Sequence, residues 1–285
     1  MSKIRNSGTL LVFLGAVFWS LNAPLVKFLT ADSLLICGLR SIIAGITLMP
    51  FIRWKRLNWT PWMAVYISSY CALCISIIIA LSKTSAAIAV GMQYTATIWL
   101  FLANFVITRK FNKKAFWPVC VIFAGVVFFM CSGTDKSSSS GNTIALLEGI
   151  FFACMSVGAK KSAGSNPIGL TAIANLFTGI FVFVAFPSTA GYIGTLALTD
   201  WIVLLILGII QIGAGYAFYN LGIQMISAQK ASVIALWEMI LGPVWVALFL
   251  KEYPSPIVLA GFVIILAGML LDTKINVPDA RETVL

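Results

Sequence analysis

Apolar and polar positions in this chain alternate on a long scale. Runs of roughly 20 apolar residues, without strand-like alternation, are separated by short polar connections, which is the pattern of helices that cross a membrane. The runs fall at about 9–30, 34–52, 61–82, 86–107, 115–132, 143–163, 167–187, 201–222, 229–250 and 255–272. Turn-forming segments divide them: Ala31-Asp32-Ser33, Asn58 to Pro61, Lys83-Thr84-Ser85, Arg109 to Lys114, Gly133 to Asn142, Gly164 to Pro167 and Pro254-Ser255-Pro256. The Ser-rich stretch Ser137 to Gly141 stands at the midpoint and reads as a linker between the fifth and sixth runs.

Composition narrows this further. Of the 285 residues, 60% are hydrophobic and 10% charged, and the mean hydropathy is +1.00. Ordinary soluble domains are about 45–50% apolar and about 25% charged. A soluble globular protein, a disordered chain and a secreted disulfide scaffold are therefore excluded. The expected fold class is an all-α integral membrane protein with ten transmembrane helices, whose partner is the lipid bilayer. Loops this short leave no extramembrane domain, so activity must lie within the bilayer. Lys3 and Arg5 before the first run could mimic a signal peptide, but the long run with Asn22 and Pro24 reads as a retained first span.

The net charge of +10 comes from 19 Lys and Arg against 9 Asp and Glu. With the N-terminus inside, the inner segments hold Lys3, Arg5, Arg53, Lys55, Arg56, Arg109, Lys110, Lys113, Lys114, Lys160, Lys161, Lys230, Lys274 and Arg281. The outer connections hold Lys27, Lys83, Lys136 and Lys251, and Arg40 stays within the second span. This bias predicts both termini in the cytoplasm of a multi-pass protein of the plasma (inner) membrane, and it reads as topology rather than nucleic-acid binding. Cys37, Cys71, Cys74, Cys120, Cys131 and Cys154 all lie in apolar runs and read as small core residues. Cys71 and Cys74 form a C-x-x-C, but the chain has no His and no second Cys pair, so no metal or cofactor is expected.

A midpoint linker predicts two halves. Five is an odd number, so a second five-helix unit enters the membrane upside down, giving two inverted five-helix repeats. The expected division is 1–133 for the first repeat, 134–142 for the linker, 143–273 for the second repeat and 274–285 for a cytoplasmic tail. An offset of 134 aligns Gly15, Phe18 and Lys27 with Gly149, Phe152 and Lys161. An offset of 143 aligns Ala124-Gly125 with Ala267-Gly268.

The stretch Ser227 to Leu271 resembles the closing hairpin of the EamA branch of the drug/metabolite transporter superfamily. The residues that carry the resemblance are Gly242-Pro243, Lys251-Glu252, Gly261 and Ala267-Gly268. The opening segment Gly15 to Lys27 is similar to that family's first span. The fourth span departs from the ninth, with Leu100 where Pro243 sits and Arg109 where Glu252 sits. The resemblance implies a carrier of small metabolites with two unequal halves.

Ionisable groups inside spans cost ~2.5–3.5 kcal/mol each on insertion, so each is a candidate for function. Three stand out: Arg40, Glu148 and Glu238. Arg40 and Glu148 lie at similar depth and are expected to pair with each other or to snorkel, with a substrate-carboxylate clamp at Arg40, or a coupling role for the two, as the sharper readings. Glu238 lies near the midplane, before Gly242-Pro243, where the helix can kink and free backbone carbonyls. Burial at that depth suits it to hold an amino group or a coupling proton. At the same depth the chain offers Trp19, Asn22, Tyr70, Gln93, Tyr94, Ser156, Gln211 and Trp237, with Thr97, Tyr216 and Tyr219 nearby. Aromatic walls with a few polar groups suit an amphipathic or cationic organic solute. Asn175, Thr171 and Thr178 share a face of the seventh span and are expected to pack against a neighbouring helix.

The function expected is a secondary transporter that exports a small organic metabolite, such as an amino acid or related amine, by alternating access. It acts as a monomer or homodimer, with H+ as the candidate coupling ion. No phosphate-binding loop of the G-x-x-x-x-G-K-[ST] type occurs, which excludes ATP as the direct energy source. The alternatives are an importer or exchanger of a cationic amine and an intramembrane lipid-modifying enzyme. The enzyme would need metal ligands, clustered acids or a nucleophile with its base, none of which the sequence offers. A channel would need a charged pore ring or a filter-like loop.

Overall fold

The computed structural model describes residues 2–57, 59–131, 139–162, 165–223, 225–226 and 228–275. These form helices and no strand. Ten helical spans are long and apolar enough to cross a membrane: Ser7–Phe28, Ser33–Phe51, Pro61–Lys83, Ala86–Thr108, Lys113–Cys131, Ser139–Lys161, Pro167–Ala185, Leu198–Gly222, Val233–Leu250 and Pro256–Ile275. They match the ten apolar runs to within a few residues. Between spans, the polar residues of the turns become helix caps. The Asp32 carboxylate accepts from the N–H groups of Leu34 and Leu35 at 3.0 Å each, and the Asn166 side chain accepts from Ile168 and Gly169. Pro61, Pro167 and Pro256 each open a helix, where the missing N–H has no intrahelical partner to lose.

One boundary differs from the sequence reading. The sixth helix begins at Ser139, so Ser139 to Asn142 belong to the span and not to a linker. Asn142 is buried against the third span, which draws the helix out over its polar first turn. The rest of the expected linker, and most of the expected tail, lie outside the described residues.

The halves pack by exchange. The second span pairs with the seventh and the fifth with the tenth, while the first pairs with the eighth as the third does with the sixth. Close glycine contacts give the register of that exchange. A Cβ on Gly125 would meet the Gly261 carbonyl and Ile265, and one on Gly268 would meet the Pro118 carbonyl and Ile122. The two contacts interconvert with an offset of 143. A Cβ on Gly15 would meet the Gly215 carbonyl and the Tyr219 N–H, and one on Gly158 would meet the Trp62 carbonyl and the Tyr66 N–H. Gly15 thus corresponds to Gly158, again offset by 143. The offset of 134 expected for the first span is corrected: Gly149 abuts the fourth span at Met92 and Ala96, whereas Gly15 abuts the eighth. Reciprocal contacts of this kind are what a two-fold relation between halves requires.

The fourth and ninth spans also need a shift of register by one residue. Arg109 and Lys251 both end their helices in the left-handed region, with φ of 57° and 53°. As matching helix ends they set Lys110 against Glu252 and Phe101 against Pro243, in place of Arg109 and Leu100.

Helix interruptions fall elsewhere than expected. The ninth span runs as one helix from Ala228 to Leu250 across Pro243. The first span breaks at Leu21, between Ser2–Ser20 and Asn22–Phe28. Pro24 has no N–H to offer the Ser20 carbonyl, and the Trp245 indole N–H of the ninth span holds the Ser20 hydroxyl at 2.9 Å. The fourth span breaks between Gln93 and Ala96, where the Thr95 hydroxyl donates to the Met92 carbonyl at 2.7 Å and competes with the helix. The eighth span widens into a π-helix from Ile206 to Ala214, around Gly208 and Gly213.

Cys37, Cys71 and Cys74 are buried as expected, but Cys131 and Cys154 are exposed on the outside of the bundle and Cys120 is half-buried. A lipid-facing surface is as apolar as the interior, so apolar neighbours alone do not identify core cysteines.

Candidate functional site

The interruptions share one depth and border one cavity of about 570 Å³. Trp19 and Asn22 enter it beside the break in the first span, Gln93 and Tyr94 beside that in the fourth, and Gln211 from the π-helical turn of the eighth. An interrupted helix turns side chains and backbone out of regular register, which is tolerated at membrane depth where a cavity receives them. Tyr70, Ser156 and Glu238 complete the set from the third, sixth and ninth spans, and Arg40 reaches in from the second.

Of the residues singled out in the sequence at this depth, Trp237 does not reach the cavity. It is 44% exposed and meets the Phe13 ring edge-on at 5.8 Å on the outside of the bundle. Adjacent helical residues are about 100° apart, so Glu238 and Trp237 cannot share a face. Thr97 is also displaced, because the break in the fourth span separates it from Gln93, and its hydroxyl points to the Met269 sulfur at 3.3 Å. Asn175 joins the seventh span to the third, donating to the Tyr70 hydroxyl at 2.8 Å and the Thr171 carbonyl at 2.9 Å.

Arg40 and Glu148 form no ion pair. The Arg40 guanidinium donates to the Asn22 amide oxygen at 2.5 Å and lines the cavity. The Glu148 carboxyl is fully buried in the sixth span, and neither oxygen has a hydrogen-bond partner. The expectation of mutual pairing is therefore corrected: one group faces the cavity, and the other faces a packed seam.

The cavity wall is aromatic. Trp19 packs against Tyr216 and Tyr219 at ring-centroid distances of 4.9 and 4.7 Å, and Tyr66 stacks on Tyr70 at 6.0 Å. The Tyr94 hydroxyl donates to Glu238 across 3.4 Å, a long contact that leaves the carboxyl free to accept other donors. Nε of Arg40, Nε1 of Trp19 and Oε1 of Gln211 are buried without hydrogen-bond partners. The cavity thus presents a carboxyl on one side and a guanidinium whose Nε has no partner on another, set between aromatic rings.

The sequence reading missed Tyr66, Phe152 and Asn220 and assigned Thr171 to helix packing, and all four also line the cavity. They lie toward the end of the bundle that carries the termini, or one turn from a chosen residue. A midplane criterion passes over them because the cavity continues to the 6–7 connection, at Ser162, Ser165 and Pro167.

At the opposite end, side chains of the two halves are bonded to each other. The Lys27 ammonium binds the Glu252 carboxylate at 3.0 Å and the Thr84 carbonyl at 3.0 Å. The Thr84 hydroxyl donates to the Asn142 amide oxygen at 2.6 Å. Lys27 and Thr84 belong to the first half and Glu252 and Asn142 to the second, so these bonds tie the halves together beyond the cavity.

Three comparisons relate the chain to known proteins. The sequence model of the EamA-like transporter family matches residues 6–131 and 139–272, once in each half. The curated protein "Uncharacterized transporter YxxF" of Bacillus subtilis (strain 168) is 26% identical over 197 residues, covering 66% of this chain and 62% of that protein. The match thus spans less than two thirds of the relative's length. One solved crystal structure, 18% identical, covers 94% of this chain and 98% of its own at a TM-score of 0.61, a likeness of fold alone. Family and relative point to a transporter rather than an enzyme.

Proposed function

This chain belongs to the EamA-like transporter family, and from that premise we propose that it is a secondary transporter that exports a small organic metabolite bearing an amino group, such as an amino acid or related amine. The observation that carries the reading is the cavity itself. Its volume of about 570 Å³ suits a small solute, it extends toward the end with the termini, and side-chain bonds between the halves lie beyond its other end. Glu238 offers a partner for an ammonium, the aromatic wall stabilises a cation through its ring faces, and Arg40 can receive a carboxylate.

The basic residues of the connections gather at the end with the termini, which supports a cytoplasmic location for it and for both termini, in the plasma membrane. The solute then enters from the cytoplasm. Rocking of the two halves opens the far end and closes the near one, with Lys27, Glu252, Thr84 and Asn142 as the far gate.

The test is counterflow in liposomes containing the purified protein. Unlabelled amines and amino acids trapped inside should drive uptake of the labelled counterpart. If no organic solute is moved, the transporter reading fails. Within a working assay, Glu238→Gln should abolish uptake of the amine, and wild-type uptake by that variant would reduce Glu238 to a packing role.

A further inference from the structure

The Glu148 carboxyl is fully buried within its span and does not line the cavity. It lies on a column of residues along the inner face of the sixth span: Asn142, Ala145, Glu148, Phe152, Met155 and Ala159. Asn142 is in the far gate, and Phe152, Met155 and Ala159 line the cavity. Glu148 sits between them. The Phe152 ring, edge-on to Tyr94 at 6.4 Å, lies between Glu148 and the cavity.

Its surroundings offer no compensation for a charge. On the fourth span, next to Gly149, the Thr95 hydroxyl is turned to the Met92 carbonyl. On the third span, Gly141 abuts Lys83 and Gly158 abuts Tyr66, so the antiparallel register sets Glu148 level with Ser76. The Ser76 hydroxyl donates to the Leu73 carbonyl of its own helix. The titratable groups on these two neighbours are Tyr66, Tyr70, Cys71, Cys74, Lys83 and Tyr94, of which Tyr66 and Tyr70 line the cavity and meet Thr171 and Asn175 of the seventh span. Cys74 lies beside the cavity, Lys83 is exposed two turns toward the far end, and the Tyr94 hydroxyl is directed at Glu238. None of them bonds to Glu148, and Arg40 is bound to Asn22. A bare carboxylate here would face the penalty of an unpaired charge in an apolar interior, whereas the neutral acid would not.

We propose that Glu148 is a proton-binding site of the far gate: it takes its proton from the far side, and the far half closes around it only in the neutral form. This rests on the alternating-access reading. When the gate parts between Thr84 and Asn142, water enters along Asn142 and Ala145 and the carboxyl ionises. Proton binding then permits closure, so acid on the far side drives the carrier toward the conformation described here.

The test is backbone hydrogen–deuterium exchange on the purified full chain, without any solute, corrected for the intrinsic pH dependence of exchange. In the wild type, the connection around Thr84 should lose about tenfold protection as pH rises from about 5 to about 9. Glu148→Gln should stay protected throughout, and Glu148→Met, neutral with a different shape, should do the same should Gln pack poorly. A Glu148→Gln or Glu148→Met protein that follows the wild-type pH profile overturns the proposal, as does a wild type whose protection does not change with pH. Because no solute is present, this outcome is separate from success or failure of counterflow.

Discussion

The two ends of the bundle are built from corresponding segments and closed by different chemistry. At the far end, Lys27 and Glu252 pair across the halves while Thr84 and Asn142 are bonded beside them. At the end with the termini, Lys110 occupies the position that matches Glu252, and the cavity reaches Ser162, Asn220 and Ala235. Close glycine contacts recur at an offset of 143, Gly125 with Gly261 and Ile265, and Gly268 with Pro118 and Ile122, but the charges at the two ends differ. The two ends thus differ in their side chains, with the Lys27–Glu252 pair at one and Lys110 at the matching position of the other.

The most damaging change to that difference is to copy one end onto the other. Glu252→Lys faces Lys27 with a like charge and should favour the far-open form by about 2–3 kcal/mol, a shift of about 30–150-fold. Exchange protection around Thr84 should fall by that factor. Removing the pair without adding repulsion, as in Lys27→Met, should shift the balance by about 1.5 kcal/mol, or about tenfold, since both side chains are largely shielded from water. Thr84→Val deletes a neutral hydrogen bond and should cost about 1 kcal/mol. Lys110→Glu, which gives the near end an acid but no basic partner, should change transport by less than about twofold. A large effect of Lys110→Glu would mean that the near end already has a lock of its own.

The scaffold was legible in the sequence and the side-chain pairings between spans were not. Ten apolar runs, capping residues such as Asp32 and Asn166, and loop charges are local signals, and the spans follow them. Residues at midplane depth led to Trp19, Asn22, Gln93, Tyr94, Gln211 and Glu238, because a polar or aromatic group at that depth has few tolerable places to go. Depth carries no information about the direction a side chain points, so Trp237 was grouped with a cavity it does not touch. Nor could the linear pattern show that Thr95 breaks the fourth span while the ninth continues through Pro243. That depends on which helix lies alongside, as do the separate fates of Arg40 and Glu148. The 134 offset failed for a related reason: apolar helices match by chance, whereas close backbone contacts do not.

The central claim is that solute crosses only if the far end parts. Replacing Thr84 and Asn142 with cysteines puts two thiols where a 2.6 Å hydrogen bond now joins the halves. Counterflow by this double variant is to be measured reduced, oxidised and re-reduced, beside a wild type given the same treatment. Oxidation should stop counterflow while solute still binds to the purified protein, and reduction should restore it. Counterflow at the wild-type rate with the cross-link formed would contradict the account.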